Sequence, residues 1–146
     1  MRPGTITLRI DSRLEDVWLI GLAVRAVCSA LPLDEETTGA VELCVVEAVN
    51  NAIEHAYGEA PGQPVEVEAS LAADTLRLAV RDRGRSMPWP APPAAAPDGL
   101  NEGGRGLFIM RELMDDVDYA TVDGWNVLTL TKHLTPRAAL RRSGAA

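Results

Sequence analysis

The chain has 146 residues, 47% of them hydrophobic and 24% charged, with a formal net charge of -7 at pH 7. This is the balance of one ordinary globular domain, and its acidity argues against nucleic acid as the main partner. No apolar run reaches membrane-spanning length, and the opening MRPGTITLRI alternates like a strand, unlike a signal peptide, so no membrane association and a cytoplasmic location are expected. The elements then follow in chain order. Ile6, Leu8 and Ile10 alternate with polar residues and predict a first strand. A helix is expected over about residues 14–31, stopped by Pro32. Asp34 or Thr37 caps a second, longer helix that runs to Tyr57 and ends at Gly58. Val65, Val67, Ala69 and Leu71 mark one strand and Leu76, Leu78 and Val80 the next, with Ala73-Asp74 as the hairpin turn between them. Helix resumes from about Gly106 to Met114, and two closing strands over about 117–122 and 126–131 flank an Asp123-Gly124 turn.

Between Gly84 and Gly104 there is no periodicity, and Pro and Ala dominate. So long a segment in so small a domain reads as a lid or an insert. After Pro136 the chain carries Arg137, Arg141 and Arg142 and is expected to fray. The expected organisation is therefore a single domain over 1–134 with its lid at 84–104, then a flexible basic tail at 135–146. Cys28 and Cys44 sit in apolar helical stretches without metal-binding spacing and read as buried thiols of a reducing compartment.

Three segments carry chemistry. In EAVNNAIEHAY, Glu47, Asn51 and His55 recur every four residues and form one stripe of a helix beside an apolar face. A carboxylate and an amide at the edge of a buried face are costly to place there without a task. Asp82-Arg83-Gly84 stands where a strand ends, so a carboxylate can accept a hydrogen bond from a ligand amine while a glycine keeps the wall close. Gly103-Gly104-Arg105-Gly106 opens into a helix, where free backbone N–H groups can approach an anion. Alone each glycine cluster is an ordinary turn signal; in this order, with the Glu/Asn helix, they read as a nucleotide site.

EAVNNAIEHAYG (47–58), VRDRGRSMP (80–88) and GGRGLFIMRELMDDVDY (103–119) together resemble the Bergerat-fold ATPases, which include gyrase and the histidine kinases. More narrowly, the chain is similar to the stand-alone bacterial anti-sigma factor serine kinases of partner-switching systems, from Ile6 to about Lys132. No phosphoacceptor-histidine module, transducer domain or sensor region is expected, which fits the anti-sigma branch better than a histidine kinase. The resemblance implies an α+β fold, a two-layer α/β sandwich with a mixed, mostly antiparallel sheet covered on one face by helices. It implies ATP and Mg²⁺ as cofactors, with Asn51 ligating the metal and Glu47 as the general base toward a serine hydroxyl. It further implies that Asp82 holds the adenine amine and Gly84 lines the base pocket. Gly104, Gly106 and Leu107 would stand at the phosphate-binding helix start, with Arg105 adding charge. His55 is assigned to packing and lid support.

Two departures from the family pattern are visible. Ser86 stands where many relatives have a second glycine, tolerable if its hydroxyl faces out. The threonine usual after the hairpin glycine is replaced, since Trp125 and Asn126 follow Gly124, and Thr129 or Thr131 becomes the candidate for that role. The first helix is apolar around nearly its whole circumference, so it is either sandwiched inside the monomer or presents a partner surface, to a second copy or to a sigma factor. Two functions stay open. One is an ATP-dependent serine kinase that phosphorylates a small antagonist protein and sequesters a sigma factor. The alternative is a non-catalytic, nucleotide-responsive module that sequesters a sigma factor or other regulator.

Overall fold

A computed structural model describes residues 2–90 and 102–134, the first three residues after the gap by their backbone alone. Residues 91–101 of the expected lid and the expected tail at 135–146 lie outside the described residues. Strand β1 (Gly4–Asp11) leads through a 3-10 turn (Leu14–Asp16) into α1 (Val17–Ser29). Helix α2 (Glu35–Asn51) follows and widens into a π-helical turn (Ala52–Ala56). Strands β2 (Pro64–Ala72) and β3 (Thr75–Asp82), helix α3 (Glu102–Leu113), and strands β4 (Asp116–Val122) and β5 (Trp125–His133) complete the order.

The five strands form one sheet in the order β1-β2-β3-β5-β4, every pairing antiparallel. No parallel pair occurs among the described residues, so the sheet is simpler than the expected mixed one. Strand periodicity divides its two faces. Val65, Val67, Leu76, Leu78, Val80, Leu128 and Leu130 point to the helices and are buried. Arg9, Glu66, Arg81 and Glu68 point the other way, with ion pairs Arg9–Glu66 at 3.6 Å and Arg81–Glu68 at 4.0 Å. Two apolar rows break at the same end of the sheet, where Asp82 ends the buried row of β3 and Asn126 begins that of β5.

The helices complete the second layer. Asp34 caps α2 by accepting from the Thr37 amide at 2.7 Å, which settles the start left open between the two residues. Val41, Cys44, Val45, Ala48 and Val49 face inward, and Leu107, Met110 and Met114 root α3 in the same core. Burial pushes both cysteine thiols up to about 11, so they are inert at neutral pH. Helix α1 is not sandwiched. Val17, Ile20, Val24 and Cys28 are buried, while Trp18 and Leu22 stand 64% and 59% exposed.

Candidate functional site

The helix end is where site geometry begins. An ordinary α2 would continue to Tyr57, but the Tyr57 amide bonds five residues back, to the Ala52 carbonyl at 3.0 Å. This wider turn leaves the Ala56 carbonyl outside the helix ladder, and the Arg85 amide takes it at 2.8 Å. Gly84 is pressed against the same group. A Cβ there would lie 2.3 Å from the Ala56 carbonyl oxygen, so glycine at this position is a condition of packing. Gly84 was expected to line a base pocket; what fixes its identity is the helix behind it. Gly84→Ala should therefore cost about 1–3 kcal/mol or more, read as a fall in Tm on the order of 10 °C.

Glu47 and Asn51 are half-buried on α2, one turn apart. Gly106 of α3 sits against both: a Cβ on it would lie 3.2 Å from Glu47 Oε2 and 3.2 Å from Asn51 Nδ2. The two glycine-centred segments thus approach the same helix, Gly106 at Glu47 and Asn51, Gly84 at Ala56. The cradle under Gly106 offers a carboxylate and an amide oxygen, hard donors that fit a Mg²⁺ ion keeping most of its waters. His55, by contrast, is exposed, and most of the lid that it was expected to support lies outside the described residues. Gly106→Ala separates stability from chemistry. Alanine favours the helix by about 0.5–1 kcal/mol, so Tm should hold or rise. The added methyl displaces the Glu47/Asn51 pair, and turnover should fall at least about tenfold.

Asp82 closes the other end. It is 8% exposed, and its Oδ1 accepts from the Gly84 amide at 2.9 Å and from Asn126 Nδ2 at 2.8 Å. Burial holds its pKa above the usual carboxylate value, against the lowering effect of those two donors. No hydrogen bond reaches Oδ2 among the described residues, which leaves that oxygen for a ligand. Asn126 was not foreseen in this position. Asp82 pairs with Asn126 across β3 and β5, whereas Thr129 pairs with Ala79 and Thr131 with Arg77, several residues further along the strand. Neither threonine reaches the site. Ser86 also differs from expectation: its hydroxyl turns inward and donates to Asn126 Oδ1 at 2.6 Å.

The phosphate end needs a second correction. Helix α3 begins at Glu102, four residues before the expected start. The amides of Gly106 and Leu107 therefore lie beyond the first turn and inside the helix ladder, and the Leu107 side chain is buried in the core. Gly103 and Gly104 occupy the first described turn of α3, and Arg105 is exposed. The first residues of the expected lid make contacts with the sheet and α3. Ser86 is held by Asn126, the Met87 amide donates to the Tyr119 hydroxyl at 3.0 Å, and Trp89 lies between Tyr119 and the Arg111 guanidinium.

Residues 10–132 match the family model for the histidine kinase-like ATPase domain. The chain belongs to that family. Among curated relatives of this ATPase-domain chain, the serine-protein kinase RsbW of Bacillus subtilis is 31% identical, the match covering 88% of this chain and 85% of the relative. The serine/threonine-protein kinase BtrW of Bordetella bronchiseptica is 35% identical over 83% of this chain and 84% of its own. A crystal structure of the RsbU and RsbW domains of a Mycobacterium tuberculosis protein superposes with a TM-score of 0.64 at 25% identity, covering 93% of this chain and 34% of that one. A histidine kinase domain from Erythrobacter litoralis, at 22% identity and a TM-score of 0.57, shares the fold. As a histidine kinase-like ATPase domain the chain uses ATP, and its α+β sandwich is that of the family.

Proposed function

We propose that this chain is an ATP-dependent protein serine kinase that phosphorylates a small anti-sigma-factor antagonist and sequesters a sigma factor, acting in the cytoplasm. The observation that carries the reading is the pairing of Glu47 and Asn51 beneath Gly106, at the end of a helix whose last carbonyl is joined to the Asp82–Arg85 segment. The kinase names of relatives that align over more than four-fifths of both chains support protein serine as the acceptor.

In this reading Asp82 Oδ2 accepts the adenine amine, and the first-turn amides of Gly103 and Gly104, with Arg105, receive the phosphates. Glu47 takes the proton of the incoming serine hydroxyl as its oxygen bonds to the γ-phosphorus and the bond to the bridging oxygen breaks, releasing ADP. Asn51 would hold Mg²⁺ through its side-chain oxygen; the bound ion neutralises the charge of the phosphate oxygens. The exposed face of α1, with Trp18 and Leu22, is a surface for protein partners, a second copy in a homodimer or the sigma factor.

The direct test is transfer of label from γ-labelled ATP to a serine of a small anti-sigma-factor antagonist protein. Label on that serine is the expected result; binding of both partners without transfer would mean a nucleotide-responsive binding module. The metal site has its own check. Asn51→Ala should abolish Mg-ATP binding in calorimetry with an unchanged circular dichroism spectrum, and wild-type affinity in that variant would remove Asn51 from the site.

A further inference from the structure

We infer that Asn126, held from behind by Ser86 and Thr121, is a positioning residue that fixes the Asp82 carboxylate and so sets selection of a 6-amino purine over a 6-oxo purine. The inference rests on the reading of Asp82 as the purine acceptor and adds to it the residues that make that acceptor selective. Thr121, Asn126 and Asp82 lie in one cross-strand row, since Asn126 pairs with Asp82 on one side and with Thr121 on the other. Asn126 is 2% exposed and all its polar capacity is directed. Its Nδ2 donates to Asp82 Oδ1 at 2.8 Å and to the Gly84 carbonyl at 2.9 Å. Its Oδ1 accepts from Ser86 Oγ at 2.6 Å and Thr121 Oγ1 at 3.1 Å.

The direction of this chain is set by chemistry. A carboxylate and a carbonyl can only accept, so the amide must turn its NH₂ toward them, and its oxygen then needs the two hydroxyls as donors. The two hydroxyls therefore donate to Asn126, one of its N–H groups donates on to Asp82 and the other to the Gly84 carbonyl, and each bond polarises the next. Both interior donors end on Oδ1, the Gly84 amide and Asn126, so the carboxylate plane is fixed and Oδ2 alone is turned to the ligand. A fixed, ionised Oδ2 accepts from a 6-amino group and repels a 6-oxo group. Without Asn126 the carboxylate rotates more freely and keeps a proton more readily, and a protonated oxygen can donate to a 6-oxo group, so discrimination falls.

The probes are Mg-ATP and Mg-ITP, which differ at the purine 6-position, titrated calorimetrically into the full chain. The wild type is expected to prefer ATP. Asn126→Leu should lower ATP affinity roughly ten- to a hundred-fold and shrink the ATP-to-ITP preference, since the lost bond is to a charged group. Ser86→Ala/Thr121→Val, at two exposed positions, should shift affinity and preference the same way by about three- to tenfold in a chain whose circular dichroism spectrum is unchanged. Combined with Asn126→Leu, that pair should add nothing, because both hydroxyls act through Asn126. A folded Asn126→Leu, or the surface pair, with the wild-type ATP-to-ITP ratio would overturn the inference, as would parallel losses for both nucleotides. If Asn126→Leu fails to fold, the surface pair decides. A wild type that binds no ATP fails the purine-site reading itself, and this inference with it.

Discussion

Glu47→Gln is expected to reduce antagonist phosphorylation by about a hundred- to ten-thousand-fold, the usual cost of losing a general base. The substitution keeps the shape of a side chain that lies against Gly106 and removes only its basicity. It also takes a negative charge away from the neighbourhood of the triphosphate, so ATP affinity should hold or rise slightly. Sigma-factor binding should be unchanged. Single-turnover phosphotransfer, measured beside nucleotide and sigma binding, separates these outcomes. Transfer at the wild-type rate in Glu47→Gln would rule out the mechanism proposed for this helix.

Asp82→Asn should move binding and stability in opposite directions. Its pKa is raised by burial, opposed by donors from Asn126 and Gly84, with Tyr57 and Arg83 as charged or titratable neighbours. A group whose folded pKa lies above its unfolded one adds stability when protonated and loses it as pH rises through the folded value. At neutral pH the ionised Asp82 thus weakens the fold, and asparagine removes that burden while its own Oδ1 still accepts from Gly84 and Asn126. Its Nδ2 then takes the place of Oδ2 and meets the adenine amine donor to donor. ATP affinity should fall at least roughly ten- to a hundred-fold, the worth of a hydrogen bond to a charged group. Tm should hold or rise at pH 7, and the gain should vanish in acid. In the wild type, ATP binding should weaken as pH falls through the raised Asp82 pKa. A calorimetric pH series with thermal melts checks both limbs, and an Asp82→Asn variant that binds ATP normally would displace Asp82 from the adenine site.

Most elements were legible because their signals are local. The alternation in β2 and β3, the Asp34 cap and the Asp123-Gly124 turn each depend on a few adjacent residues, and each stands where it was expected. What was not legible depends on pairing between distant segments. Asn126 looked like a turn-flanking residue until the β3–β5 register placed it opposite Asp82. One clue was available, since it lies two and four residues before Leu128 and Leu130 and so shares their inward face. Ser86 turned inward for the same reason, because its acceptor is supplied by another strand. The π turn escaped notice since a single extra residue in a helix leaves the apolar pattern nearly intact. The start of α3 was misplaced because all of its first five residues are glycine or charged and show no apolar period.

The bond between the Arg85 amide and the Ala56 carbonyl has a consequence for how the protein comes apart. It ties the tip of the helix that carries Glu47 and Asn51 to the tip of the strand that carries Asp82. Neither half of the pocket can open alone without breaking it and lifting Gly84 off the helix. Local opening and loss of the pocket therefore belong to one cooperative unit. A nucleotide that binds only the closed pocket stabilises the whole unit by mass action, about 2.7 kcal/mol at a hundred times its dissociation constant. The resistance of this domain to heat and proteases is then set by how much nucleotide surrounds it.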